Sequence, residues 1–164
     1  MRKILVVSDT HGYTGNLEKV MSEHRDANLM IHLGDVCNDE DYILARAHYP
    51  VKFVRGNNDW SFNLADKAIL ELDGHKIFAA HGHMHNVYYG VERLVMAGLE
   101  QGCDIIMYGH THVPMISEGE DYSVINPGSL TYPRQSGHKP SYIIITMKDN
   151  GEVEYELRFI EQGK

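Results

Sequence analysis

The chain has 164 residues, of which 15 are Lys or Arg and 23 are Asp or Glu, giving a formal net charge of −8 beside 11 histidines. With 43% hydrophobic residues, a chain of this length buries a core without a disulfide or zinc staple, and its two cysteines, outside any CxxC pair, exclude a disulfide framework. The acidic balance without a basic cluster excludes the wrapping of duplex nucleic acid, whereas the His and Asp content supplies the ligands that divalent metals prefer.

The first third of the chain alternates short apolar runs with amphipathic stretches, the pattern of strand and helix units that form a largely parallel sheet. The predicted elements are strands at 4–7, 29–33 and 51–54, an amphipathic helix at 16–25, and a short helix capped at Asn38 that ends before Pro50. The first apolar run has only four residues, too few for a signal peptide or a membrane span. We therefore expect a soluble cytoplasmic protein.

The middle of the chain predicts an antiparallel hairpin, because strands at 68–72 and 76–80 flank Asp73-Gly74, a dipeptide that favours tight hairpin turns. A helix at 87–101 then leads to a strand at 104–108, and the remainder contains strands at 115–118, 122–125, 142–147 and 152–159. We expect one α/β domain over residues 1–164, with parallel strands toward the front and antiparallel strands behind. The simplest arrangement is two packed sheets with helices outside.

Five polar clusters share one placement, since each directly follows a predicted strand. They are Asp9-Thr10-His11-Gly12, Gly34-Asp35, Gly56-Asn57-Asn58-Asp59, His81-Gly82-His83 and Gly109-His110-Thr111-His112. Loops at the carboxyl ends of strands form a crevice in α/β sheets, and their glycines allow close approach of the backbone to a ligand. We expect these clusters to meet at one site.

The clusters offer a mixed set of carboxylate, amide and imidazole ligands, which suits Mn, Fe or Zn better than Mg or Ca. Side chains two residues apart on an extended backbone point to the same side, so Asp9 with His11, and His110 with His112, are each predicted to bind a metal from one direction. Seven candidate ligands exceed the needs of a single ion with open positions. Two ions that share a bridging carboxylate are the economical interpretation.

The order Asp-x-His, Gly-Asp, Gly-Asn, His-Gly, Gly-His-x-His resembles the calcineurin-like metallophosphoesterase superfamily, and most narrowly its small YfcE-type phosphodiesterase branch. The segment Asn126-Pro127-Gly128-Ser129 is typical of that branch. The resemblance covers essentially the whole chain. It implies a four-layer α-β-β-α sandwich, in which two facing mixed β-sheets are flanked by helices.

The resemblance also implies which residues hold the metals. One ion is expected on Asp9, His11, Asp35 and His112, with Asp35 bridging to a second ion completed by Asn57, His81 and His110. The expected cofactor is a pair of divalent ions, manganese first, with iron, zinc or nickel as alternatives. The implied reaction is in-line attack on phosphorus by a bridging water that the dinuclear centre activates.

One residue departs from the wider superfamily, which usually has a His that binds phosphate and protonates the leaving group where this chain has Asn58. Asparagine can donate a hydrogen bond to a phosphoryl oxygen but cannot deliver a proton near neutral pH. Either the substrate has a leaving group that departs as a stable anion, such as an aryl or nucleoside-phosphate group, or His83 acts in catalysis beside Asp35. Asp59 is a candidate acceptor that orients a metal-bound imidazole.

The expected activity is a metal-dependent phosphodiesterase acting on a small phosphodiester or nucleotide-like substrate, because the basic residues that would hold a dianionic monoester are sparse. Arg134 is a candidate for gripping a substrate phosphate, with a surface ion pair as the alternative. A nuclease or nucleotide phosphohydrolase of the same fold, and a non-catalytic scaffold of the retromer-subunit type, remain open. No membrane partner is expected, and a homodimer through Tyr88-Tyr89 or the late strands is a further expectation.

Overall fold

The computed structural model describes residues 1–161, so the last three residues of the expected domain, 162–164, lie outside it. The described part contains ten strands and three α-helices. In chain order they are β1 (Arg2–Val7), α1 (Gly15–Glu23), β2 (Leu29–His32), α2 (Glu40–Arg46), β3 (Val51–Phe53), β4 (Lys67–Leu72), β5 (His75–Ala80), α3 (Glu92–Glu100), β6 (Ile105–Met107), β7 (Met115–Glu118), β8 (Ser123–Asn126), β9 (Ser141–Met147) and β10 (Val153–Phe159).

The strands form two mixed sheets of five strands each, in the orders β10-β9-β1-β2-β3 and β4-β5-β6-β8-β7. In the first sheet β1, β2 and β3 are parallel, and β9 and β10 add antiparallel pairs. In the second sheet β5, β6 and β8 are parallel, and the edge strands β4 and β7 are antiparallel. The predicted pair of mixed sheets is confirmed. The expectation of antiparallel strands behind holds for β7, β9 and β10 but not for β8, which lies parallel to β6 because β7 occupies the sheet edge.

The sheets and helices stack in four layers around three buried clusters. Alternate residues of β1 show the arrangement, because Ile4 and Val6 pack between the two sheets while Leu5 and Val7 pack beneath α1 and α2. A third cluster around Phe78 lies between the second sheet and α3. Both faces of the central strands are therefore buried, which explains their continuous apolar sequences. Truncating such a residue to Ala costs about 2–5 kcal/mol in stability.

Two local features test the predicted boundaries. The Asp73-Gly74 hairpin is confirmed, because both residues have positive φ, 51° and 85°, as a type I′ turn requires. The helix predicted over 87–101 is shorter, since Val87–Tyr89 form a 3-10 turn and Gly90 at φ 135° separates it from α3. Across residues 1–161, none of the helices has the length and apolar character needed to cross a membrane.

Candidate metal centre

The five polar clusters meet at one edge of the sandwich, where β1, β2, β3, β5 and β6 end. Backbone hydrogen bonds join their loops, from the Asp9 N–H to the Gly34 carbonyl at 3.0 Å and from the His11 N–H to the Asp35 carbonyl at 2.9 Å. The His110 N–H donates to Oδ2 of Asp9 at 3.0 Å, which links the two sheets. The convergence that the sequence predicts is therefore present in the structure.

Four of the candidate ligands form a compact cluster in which one ligand atom of each residue lies within 4.8 Å of the others: Asp9, His11, Asp35 and His112. Nε2 of His112 lies 3.1 Å from Oδ1 of Asp9 and 3.2 Å from Nε2 of His11. Nε2 of His11 lies 3.5 Å from Oδ2 of Asp35. These are the residues predicted to share the first ion, and all except His11 are buried.

The three residues predicted for the second ion gather on the other side of Asp35. Nε2 of His81 lies 3.4 Å from Oδ2 of Asp35 and 3.0 Å from Oδ1 of Asn57. Nδ1 of His110 lies 3.2 Å from the same His81 nitrogen. Oδ2 of Asp35 is thus within 3.5 Å of imidazole nitrogens from both groups, the position that a bridging carboxylate occupies.

Backbone carbonyls fix the tautomers of two of these imidazoles. Nδ1 of His81 donates to the Leu33 carbonyl at 2.6 Å, and Nδ1 of His112 donates to the Tyr132 carbonyl at 2.8 Å, since a carbonyl can only accept. In the neutral rings the Nε2 lone pairs consequently face the centre. There they meet other acceptors, namely carboxylate and amide oxygens and one another. Acceptors that converge in this way need a shared cation between them.

The hydrogen bonding and the charge of Asp9 also suit a divalent cation. Oδ1 of Asp9 is buried and has no hydrogen-bond partner among residues 1–161, which is costly for a carboxylate oxygen unless a cation binds it. Burial opposes the ionised form of Asp9, but the imidazoles of His11 and His112 outweigh it and hold the pKa of Asp9 well below its usual range. The carboxylate is therefore ionised and ready to bind a cation.

Asp35 and His81 shift each other's pKa, in opposite directions. Burial raises the pKa of Asp35, yet the His81 imidazole and the N–H groups of Asn58 outweigh it and bring that pKa to about 2. Burial lowers the pKa of His81, yet Asp35 and Asp9 raise it to about 8. Positive charge at the His81 nitrogen is thus favoured, and a bound cation would supply it in place of a proton.

The backbone at the ligands differs from the expectation of extended Asp-x-His and His-x-His segments. Asp9, His11, His110 and His112 have φ values of 57°, 52°, 69° and 60°, in the left-handed region. Such a conformation costs about 1–2 kcal/mol for a non-glycine residue. The members of each pair still converge, but their backbone is left-handed. The prediction that an extended backbone brings them to the same side is therefore wrong.

Close contact between loops depends on glycine at the second cluster. A Cβ on Gly34 would lie 2.7 Å from Nδ1 of His81 and 2.8 Å from the backbone nitrogen of Gly56, and the φ of Gly34 is +104°. A side chain at this position would push the Asp35 loop away from β5. The glycine before Asp35 is therefore required by packing against the His81 ring.

The sequence suggested Asp59 as the acceptor that orients a metal-binding imidazole, but its carboxylate bonds backbone N–H groups instead. Its Oδ2 accepts from the N–H groups of Asp35 and Gly56, both at 2.8 Å, and its Oδ1 accepts from the Cys37 N–H at 2.8 Å. Asp59 thus joins the Asp35 loop to its own loop. The acceptors for the His81 and His112 imidazoles are instead backbone carbonyls, which sequence patterns do not reveal.

The Asn126-Pro127-Gly128-Ser129 segment supports the centre from behind. Oγ of Ser129 donates to the Asp9 carbonyl at 2.8 Å, and Nδ2 of Asn126 donates to the Gly109 carbonyl at 3.1 Å. Buried His32 accepts from the Gly34 N–H at Nδ1, which leaves Nε2 to bond the Thr10 hydroxyl at 2.9 Å. Burial lowers the pKa of His32 to about 4, so this ring is neutral.

The remaining site residues lie around the rim. Asn58 contacts Asp35, because its backbone N–H donates to Oδ1 at 2.9 Å and its Nδ2 donates to Oδ2 at 3.0 Å. The His83 ring lies 5.4 Å from the His81 ring, and burial lowers the pKa of His83. The guanidinium of Arg134 donates to the Tyr88 hydroxyl at 2.7 Å. Within residues 1–161 it therefore contacts a hydroxyl and not the carboxylate of a surface ion pair.

The chain is similar to known proteins in sequence and in fold. A family model described as "Calcineurin-like phosphoesterase superfamily domain" matches residues 2–150. "Probable metallophosphoesterase YsnB" of Bacillus subtilis (strain 168) is 32% identical over 168 residues, covering 98% of this chain and 91% of the relative. "Phosphodiesterase YfcE" of Escherichia coli (strain K12) is 30% identical over 169 residues, covering 87% and 86%. Vps29 from Entamoeba histolytica, solved with Zn²⁺, shares the fold with a TM-score of 0.76 at 23% identity, covering 96% and 98%.

Proposed function

The chain belongs to the calcineurin-like phosphoesterase superfamily, and we propose that it is a divalent-metal-dependent phosphodiesterase with a dinuclear centre. The observation that carries the proposal is the set of converging acceptor atoms, with the buried Oδ1 of Asp9 among them. Proteins assemble unsatisfied carboxylate and imidazole atoms in this way to bind cations. The relative named as a phosphodiesterase, YfcE, supports the reaction class.

We assign the ligands to two ions that share Asp35. Asp9, His11 and His112 would complete one site, and Asn57, His81 and His110 the other. When bound, two such ions lower the pKa of a shared water, clamp phosphoryl oxygens and offset charge during in-line displacement.

The protein's own residues prepare this centre. The two N–H donors of Asn58 keep the Asp35 carboxylate oriented and ionised between the two imidazole groups. The carbonyls of Leu33 and Tyr132 aim the lone pairs of His81 and His112 inward. Such fixed orientation of ligands by outer groups typically changes metal affinity or activity 10- to 100-fold.

Manganese is the metal that we propose, because the ligand set mixes carboxylate and amide oxygens with imidazole nitrogens. Iron, zinc and nickel tolerate the same set. Zinc is the first alternative to test, since Vps29 from Entamoeba histolytica was solved with it.

The substrate class that we propose is a small phosphodiester whose leaving group departs as a stable anion. Asn58 retains a second N–H for a phosphoryl oxygen but carries no proton to give to a leaving group. His83, beside the His81 and His110 rings, is the alternative proton donor. Tyr13 and Tyr132 form an edge-to-face pair, and Tyr132 lies 5.5 Å from the His11 ring, where an aromatic ester group would have a packing surface.

The test combines metal analysis with turnover. We expect the manganese-reconstituted protein to hold two ions per chain and to hydrolyse bis(p-nitrophenyl) phosphate. Asp35→Asn should lose at least one ion and lower kcat/KM on the order of 10³-fold. Asp104→Asn is the matched control, because Asp104 also contacts a histidine, His75, but lies at the amino end of β6.

A non-catalytic scaffold is the second candidate, because the fold is shared with Vps29, a vacuolar protein sorting protein. Protein that holds two manganese ions yet shows no turnover across diester, monoester and nucleotide substrates would favour the scaffold over the enzyme. Preferred turnover of oligonucleotides or nucleotides would instead identify the nuclease or nucleotide phosphohydrolase alternative. Gel filtration with light scattering tests the expected homodimer.

A further inference from the structure

Arg134 and Tyr88 form a hydrogen-bonded unit over the loop that carries His110 and His112. The Tyr88 hydroxyl donates to the His110 carbonyl at 3.2 Å and accepts from Nη1 of Arg134 at 2.7 Å. The backbone N–H of Arg134 donates to the His112 carbonyl at 3.0 Å. The Tyr88 ring also packs on the His110 ring with centroids 4.6 Å apart. The guanidinium is thus held at a defined place beside the metal ligands.

Within residues 1–161, the unit leaves most of the guanidinium free to bind an anion. A guanidinium has five N–H donors in a planar fork, and the contact with Tyr88 uses one of them. Tyr88 is 57% exposed and Arg134 is exposed, so solvent and substrate reach both groups. An arginine that is fixed by a neutral hydroxyl keeps its full positive charge for a ligand.

Arg134 adds a formal charge of +1 at the rim, apart from the seven residues assigned to the two ions. A phosphodiester that reacts at the centre carries one negative charge, and the planar fork of Arg134 is suited to a second phosphoryl group beside it. The guanidinium therefore indicates more than one anionic group in the substrate.

The chemistry of the leaving group leads to the same substrate. Asn58 cannot protonate a departing oxygen, so a group that leaves as an anion reacts most readily. A phosphate monoester is such a leaving group, and it carries the charge that Arg134 would bind. We propose that Arg134, positioned by Tyr88, binds the second phosphoryl group of a pyrophosphate-linked diester. This inference rests on the proposed function.

The reaction balances without another reactant. Water adds to one phosphorus, the bond between that phosphorus and the bridging anhydride oxygen breaks, and the second phosphoryl group leaves with that oxygen. The products are two phosphate monoesters, and protons from the water and the new acid groups pass to solvent.

The test compares two diadenosine substrates: diadenosine pyrophosphate, with two phosphoryl groups and two negative charges, and adenylyl-(3′→5′)-adenosine, with one of each. We expect the manganese-loaded enzyme to prefer the pyrophosphate. Arg134→Ala should raise its KM roughly tenfold and change that of the monoanionic diester less than twofold. Arg134→Lys keeps the charge but lacks the planar fork, so its KM for diadenosine pyrophosphate should lie between those of the unchanged protein and Arg134→Ala.

Tyr88→Phe separates positioning from loop support, since it removes the hydroxyl and keeps the ring on His110. It should raise KM for the pyrophosphate about threefold, leave kcat and manganese content unchanged, and add nothing to Arg134→Ala. Binding of α,β-methylene-ADP, a non-hydrolysable pyrophosphate analogue, is measured by calorimetry. It should be weakened less by Tyr88→Phe than by Arg134→Ala.

Several outcomes would overturn this inference. Equal KM changes on both substrates, loss of manganese in Tyr88→Phe, or unchanged binding of the analogue in Arg134→Ala would show that the unit only braces the loop. Hydrolysis of bis(p-nitrophenyl) phosphate without hydrolysis of diadenosine pyrophosphate would also overturn it, while leaving the proposed function standing. Failure of the proposed function is different, because it requires no turnover of any diester by protein that holds both ions.

Discussion

Strands β5 and β6 each carry Asp or His groups at both ends, and the two ends differ in their hydrogen bonds. At the amino ends, His75 bonds Oδ2 of Asp104 at 2.6 Å and the Gly151 carbonyl at 2.8 Å. Oδ1 of Asp104 accepts from the Lys76 N–H at 2.8 Å. At the carboxyl ends, the nitrogens of His81 and His110 face oxygens and each other.

The comparison shows that residue type alone does not identify a metal site. The His75–Asp104 pair is satisfied by the protein, so it needs nothing further. The centre leaves Oδ1 of Asp9 buried without a hydrogen-bond partner in the described part of the chain, so it needs a cation. Unsatisfied ligand atoms that converge are the distinguishing feature, and the hydrogen bonds around each atom reveal it.

The backbone differs between the ends as well. Asp9, Asp35 and His110 hold left-handed φ values of 57°, 56° and 69°, whereas the turn at the other end places its strain at Asp73-Gly74, where glycine takes one of the two positions without penalty. The centre therefore stores strain that the surrounding hydrogen bonds offset, as functional sites commonly do. We expect the two ends to respond differently to metal, to a proton donor and to pH.

Metal binding should stabilise one end strongly and leave the other unchanged. Manganese at about 100 times its Kd adds about 2.7 kcal/mol to the free energy of unfolding, which raises Tm by roughly 5–10 °C for a domain of this size. Amide hydrogen exchange should slow at 9–12 and 109–112 and stay constant at 73–76. Differential scanning fluorimetry with and without EDTA, followed by exchange mass spectrometry, measures both effects. Equal slowing at both ends, or an unchanged Tm, would contradict the comparison.

A second difference concerns the groups that hold the carboxylates. Asp104 is contacted by the His75 imidazole, whereas Asp35 is contacted both by the His81 imidazole and by the side-chain amide of Asn58, which has no proton to give. Asn58→His would place at this position an imidazole that is not a proposed metal ligand and can donate a proton. We expect about a tenfold gain on a diester with an alkoxide leaving group, such as adenylyl-(3′→5′)-adenosine, and little gain on bis(p-nitrophenyl) phosphate, whose leaving group needs no proton.

The control for this substitution is Asn58→Gln, which keeps an amide and cannot donate a catalytic proton. Manganese content is measured in all three proteins, so that loss of Asp35 orientation is separated from acid catalysis. A gain of similar size on both diesters, or none on the alkoxide substrate, would refute the missing-acid explanation.

Much of this arrangement could be predicted because it depends on local patterns. Apolar runs mark strands that are buried on both faces, and Asp73-Gly74 marks the hairpin. The polar residues that follow each strand mark the centre. The start of α3 was missed because Val87 continues the helical spacing although Gly90 interrupts the helix.

Other features depend on contacts that no local pattern records. The parallel pairing of β6 with β8 follows from β7 moving to the sheet edge. The roles of Asp59 and of the Leu33 and Tyr132 carbonyls depend on backbone atoms in distant loops. The bonds from the Tyr88 hydroxyl to His110 and Arg134 likewise join distant parts of the sequence. Such contacts are visible only once the chain is folded.

The smallest expected effect concerns pH at the satisfied end. The hydrogen bond with Asp104 outweighs burial and, together with the Gly151 carbonyl, raises the pKa of His75 above its ordinary value. A raised pKa in the folded state means that the contribution of the His75–Asp104 pair is fully present below about pH 6.5 and is lost as pH rises through the folded pKa. His75→Gln should therefore destabilise the protein by up to about 1 kcal/mol at pH 5.5 and by less at pH 8.5.

Urea unfolding at the two pH values, with EDTA present throughout so that protons do not compete with metal, measures this difference. A larger cost of His75→Gln at pH 8.5 than at pH 5.5 would reverse the expected sign. It would mean that the ring is neutral in its pair with Asp104. The two ends of β5 would then differ only in their access to metal and not in their charge.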